Sequence, residues 1–208
     1  MTASTLSPDK LDALQELVNM GMGKAGAALA EVLGAFVELA VPALDLADRR
    51  QVATMLEHGS WANDREVEAV RQRFFGALMG ESVMVFDNQA HAELSDLLGH
   101  GPDASATERQ EALLDLANVV IGACVNGIAE PLNEAVSFAP PARLGGRAEV
   151  RGFMSRESAA FGQGLVVNVD FKLEARAFFS RVLVFLPEES IRRIDLAITQ
   201  LLDGLAAS

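Results

Sequence analysis

Apolar residues between Leu11 and Leu33 recur with a period near 3.6, and Ser7 followed by Pro8 supplies a cap residue and a first-turn proline, so the spacing predicts a long helix. At about 100° per residue, Leu14, Leu17, Val18, Gly21, Ala25, Ala28, Leu29 and Val32 gather on one side, the stripe a core would cover. Asp12, Glu16 and Asn19 lie opposite, followed by Gly23, Gly26 and Ala30, so a polar surface leads into one with almost no side chains. The period then changes. Phe36 to Ala47 alternates as a strand does, and Pro42 inside it demands an edge position or a bulge. A short helix is expected over Arg49 to His58. Val67 to Asp87 reads as two strands around a tight turn near Met79 and Gly80, Ala90 to Leu98 resumes helical spacing, and Gly99 to Thr107 is a linker.

After the linker the pattern restarts. Glu108 to Ala135 is again helical, with a buried stripe through Leu113, Leu116, Ala117, Val120, Cys124, Gly127 and Ile128, each 99 residues after its counterpart. Opposite it stand Glu111, Asp115 and Asn118, in the register of Asp12, Glu16 and Asn19. Pro140 follows Asn118 by 22 positions and Pro42 follows Asn19 by 23. A hairpin from Leu165 to Leu186 and a closing helix from Pro187 to about Gly204 complete the second half, and Ala142 to Gly164 is a longer, glycine-rich connection. These agreements predict one α+β domain over residues 1–208, built from pseudo-twofold halves at about 8–100 and 108–205. Its antiparallel sheet would carry the two long helices with their polar triplets outward.

Composition narrows the partners. At 208 residues, 50% apolar content can fill a core, and a net charge of −12 repels nucleic acid and anionic membrane surfaces. The single cysteine, Cys124, can form no internal disulfide, no stretch of eighteen apolar residues runs unbroken, and acidic residues occupy the place of a signal peptide's basic start. A cytoplasmic protein is expected.

The triplets are the candidate chemistry. Positions i, i+4 and i+7 span an arc of about 60°, so one partner can meet all three side chains. A solvated helix face is the plain alternative. Against it, asparagine is a poor helix former, and it occurs in mid-helix twice at equivalent positions.

Asp12, Glu16 and Asn19 followed by Pro42, with Glu111, Asp115, Asn118 and Pro140 as a second copy, resemble the signature of the CheC, CheX and FliY phosphatases of bacterial chemotaxis, CheC above all. "LVNMGMGKAGAAL" and "FFGALMGESVMVF" extend the likeness along the chain. The resemblance implies hydrolysis of the aspartyl phosphate of a CheY-like response regulator, which brings its own Mg²⁺ and lysine, so that no cofactor of this chain's own is needed. Glu16 would pair with that lysine and Asn19 would orient the attacking water, with Asp115 and Asn118 as their second-copy equivalents. Asp12, Glu111, Pro42 and Pro140 would support them. CheD is a further implied partner. Asp115 is one bond shorter than glutamate, which predicts a weaker second site, with Asn118→Ala costing less activity than Asn19→Ala. Val125, in the place of Gly26, would hinder docking. Asn19→Ala is expected to leave stability nearly unchanged.

Other signals are weaker. Gly21, Gly23 and Gly26 spell GxGxxG but lie inside a helix instead of opening one. His58, His91 and His100 lack metal-ligand spacing, Cys124 falls on the buried stripe, and Arg143, Arg147, Arg151 and Arg156 serve as solubilising charge or touch an acidic partner.

Overall fold

In a computed structural model of the chain, residues 6–34, 36–48, 51, 54, 68–86, 105–133, 135–156, 163–173 and 176–206 are described. They form α1 (Pro8–Leu33), β1 (Val37–Asp48), β2 (Glu68–Gly76), β3 (Gly80–Phe86), α2 (Ala106–Ala129), β4 (Val136–Phe138), β5 (Ala142–Gly145), α3 (Arg147–Arg156), β6 (Gln163–Leu173), β7 (Arg176–Leu186) and α4 (Glu188–Ala206). Of the helix expected at Arg49 to His58 only Gln51 and Thr54 are described, both of them helical; the helix expected at Ala90 to Leu98, most of the linker, and all three histidines lie outside the described residues.

The strands form an antiparallel sheet in the order β1-β6-β7-β3-β2-β4, with β5 also paired to β2. The α+β class and pseudo-twofold arrangement expected from the repeat are present. At the centre Val83 pairs with Leu183 and Met84 with Val182. Because Val182 and Leu183 follow Val83 and Met84 by 99 residues, exchanging the halves maps this pairing onto itself. The outer strands are traded, β1 pairing with β6 of the second half and β4 with β2 of the first.

Alternation along the strands divides the sheet into two apolar faces. Val70, Phe74, Met84, Phe86, Val182 and Val184 face α1, α2 and α4, whose Leu14, Val18, Val120, Cys124 and Ile194 close the main core. On the other face Val83, Val85, Val166, Leu183 and Phe185 meet Val150 and Phe153 of α3, with the Phe153 and Phe185 rings 5.6 Å apart. The glycine-rich connection expected over Ala142 to Gly164 thus contains a strand and a helix. Its charge and glycines hid them: among the described side chains of α3, Val150 and Phe153 are the buried ones.

α2 begins on a capping box, in which Glu108 N–H donates to Ser105 Oγ (3.2 Å) and Ser105 N–H donates to Glu108 Oε2 (2.8 Å). Ser7 occupies the equivalent place before α1, but its side chain makes no capping bond. The predicted second helix is shorter than expected. It passes into a 3-10 turn at Glu130–Leu132, where Pro131 lacks the N–H to continue and Asn133 turns left-handed at φ 51°. Thr107–Leu132 has the length and hydropathy of a membrane span, but most of it is buried against α1 and the sheet.

α1 and α2 cross at backbone distance. A Cβ on Gly127 would lie 2.8 Å from Val18 Cα and 2.9 Å from Leu17 O, and one on Gly21 would lie 2.8 Å from Ala123 O. Only glycine permits this approach. Gly127→Ala should force the helices apart and cost about 1–3 kcal/mol by urea denaturation. Gly23, open to solvent with nothing within 4 Å, should gain about 0.5–1 kcal/mol on substitution by alanine. Equal effects at the two positions would contradict this packing.

Candidate functional site

Proline has no N–H to give a sheet, and the ladder between β1 and β6 accommodates Pro42 with a bulge. Ala40 pairs with Asp170 and Ala43 with Asn168, so Val41 and Pro42 together oppose Val169. Val41 is buried, and its backbone groups need partners outside the ladder. Asn19 supplies them: Val41 N–H donates to Asn19 Oδ1 (2.7 Å), and Asn19 Nδ2 donates to Val41 O (3.2 Å). Gln15 Nε2 adds a second donor to the same carbonyl (3.1 Å).

Asn19 is therefore half-buried and clasped to β1, not projecting freely with Asp12 and Glu16, which are exposed. Three residues of helix place it about 60° round from Glu16, on the flank toward the sheet shared with Gln15 and Gly26. The clasp fixes which end of the amide is oxygen. It leaves one N–H and one lone pair of the carboxamide for other partners.

The second copy differs. Glu111, Asp115, Asn118 and Pro140 are all exposed. Ala139, which precedes Pro140, donates its N–H to Arg73 O (3.0 Å), so Asn118 is not needed as a clasp. The place is taken by Gln72 of β2, whose Nε2 donates to Ala139 O (2.9 Å) and to Asn118 Oδ1 (2.7 Å). Asn118 is thus the more open carboxamide, which weighs against ranking the sites by the length of Asp115 alone. Gln72 was missed in the sequence, although a signal existed: it is the polar member of the core-facing series Val70, Gln72, Phe74.

Of the three glycines, Gly21 meets α2, a Cβ at Gly26 would sit 3.4 Å from Val37 O, and only Gly23 is open. Gly26 is thus not part of the open surface expected beyond Asn19. Val125 is fully buried and cannot hinder docking, because this flank of each helix faces the sheet. Arg143 forks onto Glu68 (2.9 and 2.6 Å), tying β5 to β2 beside a cleft of about 260 Å³ next to Leu114 and Val70. Cys124 is sealed in the core, where burial pushes its thiol up to about 12.

Two outcomes follow from this geometry. Asn19→Ala strands the buried Val41 N–H and should cost about 1–3 kcal/mol, less about 0.5 from alanine's helix preference, whereas Asn118→Ala should cost under about 1. Matched thermal melts check this, and a stable Asn19→Ala protein would contradict the clasp. Cys124 should resist thiol reagents at pH 8 until the protein is unfolded; rapid labelling of the native protein would show the site to be open.

Residues 10–44, which hold the first triplet and Pro42, match the CheC-like family. FliY from Thermotoga maritima is similar over 95% of this chain and 99% of its own, at 19% identity and a TM-score of 0.67. The FliM middle domain from H. pylori is similar over 92% and 99%, at 11% identity and TM-score 0.58, and a FliG–FliM complex structure from H. pylori matches over 91% and 99%, at 11% and 0.64. No curated protein matches in sequence. The matched segment and the fold shared with FliY bear out the resemblance to the CheC, CheX and FliY family.

Proposed function

We propose that the protein is a phosphatase for the aspartyl phosphate of a CheY-like response regulator in chemotaxis signalling. One observation carries the reading. On each of two symmetry-related helices, exposed carboxylates accompany an asparagine whose amide orientation is fixed by hydrogen bonds that involve the residue before a proline. A plain solvated face has no use for a fixed carboxamide.

In this reading Glu16 or Asp115 pairs with the receiver's lysine and docks the helix. The neighbouring asparagine orients water with the N–H and the lone pair that its internal hydrogen bonds leave free, adding no charge beside the anionic phosphoryl group. The water oxygen attacks phosphorus in line, the bond from phosphorus to the aspartyl oxygen breaks with its electron pair going to the receiver's carboxylate, and inorganic phosphate leaves with both of the water's protons, as dihydrogen phosphate. Phosphoryl transfer of this kind needs positioning more than covalent help. In this reading the Mg²⁺ that neutralises the phosphoryl group is the receiver's own.

A second reading, a non-catalytic binder of a receiver domain or of a CheD-type deamidase, draws support from Asn19, both of whose polar atoms are engaged by Val41. The fold is also that of FliM, a protein solved in complex with FliG. Single-turnover decay separates the readings. A phosphorylated receiver should lose phosphate at least about tenfold faster with saturating protein, within the range expected of a positioned water. Glu16→Ala with Asp115→Ala should weaken docking and raise the half-saturating concentration. An unchanged lifetime at saturation would establish binding alone.

A further inference from the structure

We propose that Gln72 is a positioning residue for Asn118, holding that carboxamide with its NH₂ toward the partner; the inference rests on the phosphatase reading above. The assignment follows from a chain of donors. Ala139 O can only accept, so the Gln72 atom facing it is the amide nitrogen. The same nitrogen faces Asn118 at 2.7 Å, so Asn118 must present its oxygen inward and its nitrogen outward.

Gln72 is 2% exposed, and its Oε1 is buried without a hydrogen-bond partner. A leucine would fill this core-facing position of β2 without that desolvation penalty. The glutamine ties the strand, the residue before Pro140 and the helix together through one nitrogen, as Asn19 does directly in the first half. With its oxygen held, Asn118 keeps both N–H groups and one lone pair, against one of each for Asn19.

The test uses the full chain in an Asn19→Ala background, where turnover depends on Asn118. Gln72→Leu should lower the maximal rate of receiver dephosphorylation about tenfold or more while moving the half-saturating concentration less than about twofold, as expected for lost orientation instead of lost docking. Adding Gln72→Leu to Asn118→Ala should then change nothing further. Gln72→Glu keeps the shape but has one donor while protonated and none once ionised, so its rate should fall as pH rises through the carboxyl's titration, a dependence absent from the parent. Full activity and a flat pH profile in both variants would overturn the proposal.

A second readout needs no turnover. The side-chain NH₂ signals of Asn118 in ¹⁵N-resolved NMR should be dispersed in the parent and collapse toward free-amide positions in Gln72→Leu, with those of Asn19 unmoved. Unmoved Asn118 signals would overturn the positioning role by themselves. Collapse of those signals in a protein that never shortens the receiver's lifetime would uphold the positioning and sink the phosphatase reading instead.

Discussion

A proline inside a sheet leaves a polar backbone that the ladder cannot satisfy, and in this protein the repair of that defect places the candidate chemistry. At Val41 the repair is direct. The Asn19 amide replaces the missing strand partner, and α1 is thereby locked in rotation and height against β1. A buried N–H or carbonyl left alone costs about 1–3 kcal/mol, so the asparagine and the proline constrain each other although 23 residues separate them. Once α1 is fixed in this way, Glu16 and Asp12 can face only outward.

The glycine crossing of α1 and α2 carries that constraint to the second half. Because the helices touch at backbone distance, neither can slide without the other, and the two polar faces keep a fixed relation across the pseudo-twofold axis. The halves then solve the same problem differently. Where β1 is long and bulged, the asparagine closes onto the strand; where β4 is three residues long, Gln72 reaches across from β2 and leaves Asn118 in solvent. Duplication has given two carboxamides of unequal availability.

Much of this was legible in the chain. The two long helices, the β2–β3 hairpin, the β6–β7 hairpin and the demand of Pro42 for an edge or a bulge are all local patterns of period or turn chemistry, and β1 meets both demands at once. The polar triplets were legible because they repeat. What escaped depends on distance: the 22-residue reach of Asn19 to Val41 and the 46-residue reach of Gln72 to Asn118 leave no periodic trace. The placement of Gly26 and Val125 failed because an idealised rotation of about 100° per residue says which residues share a flank but not what covers it. β5 and α3 escaped because β5 is four residues long with two of them exposed, and the sequence of α3 is rich in charge.

The most direct measurement combines affinity with turnover for the variant that lacks both carboxamides, Asn19→Ala with Asn118→Ala, at a temperature where its circular dichroism shows it fully folded. This protein should still bind a phosphorylated CheY-like receiver through Glu16 and Asp115 but no longer shorten the lifetime of its aspartyl phosphate. Hydrolysis at the parent's rate by the folded double variant would contradict it.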